Sequence, residues 1–519
     1  MLTWPLAAML PFGSSSMATK IFKLTNQAGV KRDGTYFEGN YWNDAQHCRF
    51  QRGQPRKMGG YRQISHNFAG PVYAAHMSAY NGINSLHTGS ASGVEVVQLD
   101  QNGFGAGIVS RTPAGYATNA NALWQFDEMW DAAGSNMLLF AHPGSNLTSI
   151  DNAAQTPIYY GNVNSTAAMV AQGTSVSGGI MVLNPFLFTL DNLGNVAWSD
   201  ENLPLSMTGG ASGSARITSS KLVKGMAFRG GPTNSPSGLI WSLDSLIRVS
   251  YVGSPAIFKF DTVSDQTSIL SSSSVIEYDG IFFWAGVDRF LMYNGVVREI
   301  PNQLNLNYFF DNLNYAQRQK VWAMKVPRFG EIWWFYPHGN VTECNRAVIF
   351  NVRENTWYDT ALPRSSGHFP QVFHYPIMLD PTPDTNGKYA AWVHETGYDQ
   401  VVGNTVSAID SYVTSADISW CAQGPDQQQW MGQDNWVQLM RVEPDFNQTG
   451  DMTLTVSGHK YARSQPLTET PFTFGPTTEK IDMKVQERQL RLTFESNTVG
   501  GFYEMGQVVM TAGTGDGRQ

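Results

Sequence analysis

Residues 280–300 read GIFFWAGVDRFLMYNGVVREI, an aromatic run, a turn and a second aromatic run. Phe283, Ala285 and Val287 fall on one face of the first run, and Phe290 and Met292 share one on the return. Period-two patterning of aromatic and β-branched residues bounded by Gly, Asn and Asp predicts a β-hairpin. The same construction recurs at 238–253 (GLIWSLDSLIRVSYVG), 330–340 (GEIWWFYPHGN) and 346–360 (RAVIFNVRENTWYDT). Trp198, Trp241, Trp284 and Trp333 sit in such runs at roughly the 40–50-residue spacing of a multi-strand blade. The pattern predicts an all-β protein with a β-propeller of about seven blades over 71–403. Trp241, Trp284, Tyr293, Trp333, Trp334 and Trp357 are its expected blade core.

Composition agrees. The 519 residues include 50 Gly, 15 Trp, 21 Tyr and 28 Phe, while only 15% are charged. Rings suit a pleated, half-buried surface and Gly suits the turns. A chain this long exceeds one ordinary core, so a second domain is expected. Beyond 403 the runs GDMTLTVS (450–457), KIDMKV (480–485) and ERQLRLTFE (487–495) alternate apolar and polar, predicting a β-sandwich over 404–519. Residues 17–70 carry too few alternating apolar positions for a core of their own. They are expected to pack on that sandwich or to complete the propeller. Between two blades, Leu306, Phe309, Phe310 and Leu313 form one helical stripe, predicting a helix against a blade edge.

The N-terminal MLTWPLAAMLPFGSSS is broken by Pro5 and Pro11 and lacks a basic start. Met17 reads as the functional start, with 1–16 an extension or loose arm. No apolar run approaches the ~20 residues that span a bilayer. Cys48, Cys344 and Cys421 lie far apart, which fits isolated thiols in a chain folded in a reducing cytoplasm.

Chemistry-bearing patterns are few. No HExxH, GxSxG or P-loop run occurs, and no metal or cofactor is expected. WQFDEMWD (124–131) offers Asp127, Glu128 and Asp131 as acids beside Trp124 and Trp130, but nothing fixes the carboxyl separation a glycosidase needs. It reads as a surface turn between blade strands. Net charge is −8, yet Lys31–Arg62 holds seven basic residues and three acidic ones. That patch is expected to pair with an acidic surface, such as a neighbouring subunit, rather than to grip DNA.

Within it, residues 43–61 read NDAQHCRFQRGQPRKMGGY. The run Arg49, Phe50, Gly53, Pro55, Lys57, Gly59, Gly60 and Tyr61 resembles the N-terminal motif of the tail-nozzle, or packaged-DNA stabilisation (tail hub), proteins of short-tailed bacteriophages. Similarity continues in order through FFWAGVDRFLMYNGVV, IFNVRENTWYDTALPR, VEPDFNQTGDMTLTVSGHKY and RQLRLTFESNTVGGFYEMG to the terminal GDGR. Tyr61 stands where that family usually has Trp, and residues 1–16 have no counterpart.

The resemblance implies a propeller with a sandwich-like platform built from both chain ends. It implies a virion structural protein, not an enzyme, made in the host cytoplasm and placed in the tail as a hexameric ring below portal and adaptor. Such a ring extends the channel for double-stranded DNA, helps retain the packaged genome and carries tail fibres, spikes or a needle. The motif residues are then a family structural motif and a candidate subunit interface, and the net acidity suits a non-adhesive lumen. A tail-associated polysaccharide-degrading enzyme and a monomeric carbohydrate- or receptor-binding propeller are the alternatives.

Overall fold

Turn chemistry sets the strand pairs. At Asn81–Gly82 φ is 49° and 76°, and at Asp279–Gly280 it is 51° and 77°. Two consecutive positive values make a type I′ turn, whose twist matches the flanking strands, so Tyr80 pairs with Ile83 and Tyr278 with Ile281. A second device repeats at Asp100, Asp191 and Asp384. Each carboxylate accepts the backbone N–H groups two and four residues on, at Asn102 and Phe104, Leu193 and Asn195, and Asn386 and Lys388. Gly103, Gly194 and Gly387 supply the positive φ between them.

The computed structural model describes residues 19–35, 40–118, 123–144, 155–229, 235–419, 421–423, 430–432, 436–461, 464–468 and 471–515. The expected arm at 1–16 lies outside that set. Six consecutive four-stranded antiparallel sheets span 72–110, 125–176, 179–216, 222–264, 276–299 and 322–361. A seventh takes three strands from 366–394 and its outer strand, Tyr61–Phe68, from the N-terminal segment. The first strands of the blades touch their neighbours around an axis, and Ser366–His368 returns to contact Val72–Tyr80. The protein is therefore a β-propeller with seven blades among the described residues. Closure is by an N-terminal strand, so the propeller begins at Tyr61 rather than at 71. The hairpin of Asp399–Val402 and Thr405–Ala408 extends the seventh blade's sheet alongside Tyr61 and straddles the expected boundary at 403.

Apolar clusters fill the gaps between blades. Trp241, Trp284 and Tyr293 lie in the one between blades 4 and 5; Trp334 and Trp357 lie between blades 5 and 6. Trp333 faces the other way, toward Trp322 and Phe335 in a cluster continuous with the platform. Trp241, Trp284 and Trp333 occupy the second strands of successive blades, whereas Trp198 is in the third strand of its blade. Its place in the spacing is corrected accordingly. Val287 lies past the strand end and is exposed, because Ile281–Ala285 stops before it. The helix Leu306–Asn312 packs Phe309 against Phe290 and Tyr336, with centroids 5.0 and 4.4 Å apart.

Trp284 is fully buried, donates its indole N–H to the Ser268 carbonyl at 2.9 Å and meets Trp241 edge-on at 5.7 Å. Truncation to Ala leaves a cavity between two blades, and Trp284→Ala is expected to cost about 3–5 kcal/mol. Urea unfolding monitored by circular dichroism measures it; a loss below about 1 kcal/mol would mean the blades repack freely.

Both chain ends build the platform. Lys20–Lys23 pairs with Val509–Thr514, Asp44–Gln46 with Ser411–Thr414, and Gln54–Lys57 with Phe502–Met505. One sheet orders Lys20–Lys23, Val509–Thr514, Val437–Glu443 and Ile481–Glu487; a larger one centres on Gln489–Ser496 and Met452–His459. Val456, Leu492, Phe494, Leu439 and Met510 fill the space between them. Cys48 and Cys344 are buried free thiols.

Candidate functional site

The strands Cys48–Gln51 and Gln54–Lys57 form a hairpin whose tip is Arg52–Gly53, at φ 53° and 76°. Gly53 thus serves a type I′ turn, which strongly prefers Gly at its second position. The tip binds blade 6, where Glu354 accepts the N–H groups of Arg52 and Gly53 at 2.9 and 3.1 Å. Phe50 is buried against Tyr358 of the same blade, centroids 5.4 Å apart, and Pro55 is buried opposite it in the hairpin.

Arg49 carries the joint. Its guanidinium, 1% exposed, donates to both oxygens of Glu395 at 2.7 and 2.5 Å, and its Nε lies 2.9 Å from Glu331 Oε1. It also lies over the Phe329 ring at 3.7 Å. Glu331 begins the second strand of blade 6 and Glu395 comes directly after the last strand of blade 7, so one platform side chain holds two blades. Tyr358 and Trp333 donate to the remaining lone pairs of Glu331 at 2.6 and 2.9 Å. Burial opposes the arginine's charge, but Glu331 and Glu395 outweigh it and hold its pKa above the ordinary arginine value.

Gly59 and Gly60 let the chain pass close to the 395–399 segment beyond blade 7. A Cβ on Gly59 would meet Glu395 Cα at 2.6 Å, and one on Gly60 would overlap the Asp399 carbonyl oxygen. The Gly59 N–H donates to Glu395, and Gly60 exchanges backbone bonds with Gly397 and Thr396. Lys57 is 1% exposed, with its ammonium 3.5 Å from Ser496 Oγ; burial pushes it down to about 8 against the pull of Asp399 and Asp410. Tyr61 packs on Trp392 and His394, and Arg364 lies 5.0 Å from its ring centroid.

All eight motif residues therefore come together, but within one chain. Arg49, Phe50, Pro55, Lys57 and Gly60 are buried, which corrects their expected place at a subunit interface. The acidic partners of the basic patch are likewise internal. Arg32 binds Asp44 and Asp359, Arg346 shares Asp359, and Arg52 pairs with Glu504. Burial disfavours the Asp359 charge, yet Arg32 and Arg346 hold its carboxyl below the usual range.

Sequence reading missed Glu331, Glu354, Asp359 and Glu395, which lie some 300 residues from their partners. One signal was present. Glu331 opens the otherwise aromatic strand EIWWFY, and a carboxylate in a buried strand requires a paired cation.

WQFDEMWD is not a surface turn. Gln125–Asp131 is the innermost strand of blade 2, and only Asp131, at its end, caps a turn. Asp127 accepts the Val182 N–H at 2.7 Å, Glu128 binds His76 at 2.6 Å, and Trp124 is buried. Those roles engage each carboxylate structurally. Among the described residues no cluster of His, Cys, Asp and Glu could hold a metal ion, and no helix is long and apolar enough to cross a membrane.

No family model matches the chain, and no curated protein does. Among solved structures, the BBS1N chain of a crystal structure of BBS1N in complex with ARL6DN is similar at 9% identity and a TM-score of 0.38. That match covers 65% of this chain and 97% of the other.

Proposed function

We propose that the chain is a structural subunit of a short-tailed phage tail, forming a nozzle ring that extends the DNA channel below portal and adaptor. The observation that carries this reading is the burial of the 49–61 motif in a joint between platform and blades 6 and 7. Joined in this way, propeller and platform form one stiff wedge. Wedges related by a heterologous contact close a ring when the rotation closes, and a ring under pressure from packaged DNA needs stiff subunits. In this reading the protein is not an enzyme, resides in the virion tail and offers its outer surface to fibres, spikes or a needle. The net charge of −8 suits a wall past which DNA slides.

Negative-stain imaging of the purified chain, alone and mixed with portal–adaptor complexes, tests the proposal. Six-fold rings on the adaptor are the expected result. A particle that stays monomeric on adaptor-bearing complexes overturns it, as does release of soluble sugar from host capsule by the purified chain.

A further inference from the structure

The bore of the propeller holds a cavity of about 240 Å³, roughly eight waters' worth of volume, which is far more than one structural water needs. The first strands of blades 1, 2, 4, 6 and 7 and the segment leading into blade 5 all contribute to its wall. Apolar surface comes from Ala75, Phe126, Met226 and Val275. Polar groups converge on the same space, and several lack partners. Ser366 and Gln125 line it at 3% and 6% exposure, and neither Ser366 Oγ nor Gln125 Oε1 has a hydrogen-bond partner. A buried polar atom left unpaired costs about 1–3 kcal/mol, so two on one cavity wall mark a place where a ligand's hydroxyl or N–H is missing.

Charge around the cavity is asymmetric in availability. Asp127 is held by the Val182 and Glu128 N–H groups, and Glu128 is held by His76 and Ser78. Glu277, near the next blade, is bound by Lys325 and Arg229. The acids are thus spoken for. Lys224 lines the cavity with Asp127 as its electrostatic partner and makes no hydrogen bond, and burial lowers its pKa. His368 faces His76 at 5.4 Å between centroids, and its pKa falls to about 3 through burial and the nearby charges of His76, Lys325 and Arg229. A group that resists protonation this way reports a positive potential in the bore.

We propose that the axial cavity is a binding site for a small hydroxylated carboxylate, the chemistry of a sugar acid. Lys224 takes the carboxylate, while Ser366 and Gln125 take ligand hydroxyls. A few convergent polar groups on a largely apolar concave wall are what orient a small ligand. The site is built within one subunit and does not depend on ring formation, so it stands or falls separately from the nozzle reading.

Calorimetric titration of the full chain with D-glucuronate, D-glucose and inorganic phosphate provides the test, alongside Lys224→Gln and Ser366→Ala variants. Glucuronate is expected to bind at least tenfold more tightly than glucose or phosphate. Lys224→Gln should weaken it tenfold or more, and Ser366→Ala severalfold, with near-ultraviolet circular dichroism unchanged. A bound carboxylate should also raise the His368 pKa, read as a shifted imidazole NMR titration. Absence of binding by all three probes overturns the proposal. Equal binding of glucuronate and phosphate overturns it too, since the hydroxyl contacts would then contribute nothing. Unchanged affinity in Lys224→Gln does the same.

Discussion

Replacement of Arg49 by Met will lower the stability of the protein by about 3–5 kcal/mol, and the loss will concentrate at the joint between platform and propeller. The reason is asymmetry. Removing the guanidinium leaves Glu331, with its side chain fully buried, and Glu395, at 9% exposure, as carboxylates without a cation. A buried charge that has lost its partner carries the whole desolvation penalty. The double variant Arg49→Met with Glu331→Leu should recover part of that loss, because a well-packed apolar pair can replace a buried ion pair. Urea unfolding gives the energies, and limited proteolysis of the 395–410 segment locates the loosening. A single-variant loss under about 1 kcal/mol would show that the carboxylates find other partners, and the joint would then not rest on Arg49.

Acid is expected to weaken the fold between pH 6.5 and 4, well above the range where most carboxylates protonate. Burial holds His47 and His142 down at about 4, and pushes His87 and His394 well below the ordinary histidine value. His142 shows the cause in its contacts. Its Nδ1 accepts the Gly144 N–H at 3.0 Å, and its Nε2 faces the Val176 carbonyl at 3.1 Å, an arrangement that only the neutral ring satisfies. Below about 6.5 the unfolded chain takes up these protons and the folded chain does not, so stability falls as pH drops toward the folded values. For His47 and His142 the full effect is roughly 3 kcal/mol each, reached near pH 4. Chemical unfolding at pH 7.5, 6.0 and 5.0 should give steadily lower midpoints, and His142→Gln should reduce the slope. Equal midpoints at pH 7.5 and 5.0 would refute the assignment.

Much of the architecture was legible because it rests on local rules. The hairpin at 280–300 folds as its alternation requires, and the stripe Leu306, Phe309, Phe310 does form a helix. The three Asp-headed turns at 100, 191 and 384 are equally local, and the shared D-x-x-G pattern could have located them from residues alone. Trp198 misled the spacing because aromatic residues suit any strand of a blade, so a tryptophan marks a strand without saying which one.

Sequence by itself determined the strands, their turns, the all-β class and the cluster of unusual residues from Arg49 to Tyr61, since period-two burial and positive-φ turns depend on neighbours a few residues apart. Only the tertiary structure decided what those residues touch. Tyr61–Phe68 closes the seventh blade, Arg49 meets Glu331 and Glu395, and His76, Gln125, Lys224 and Ser366 converge on one bore. Each of those contacts joins segments separated by tens to hundreds of residues. Their pairing follows from closure of the ring and return of both chain ends to one platform, and no local preference encodes it.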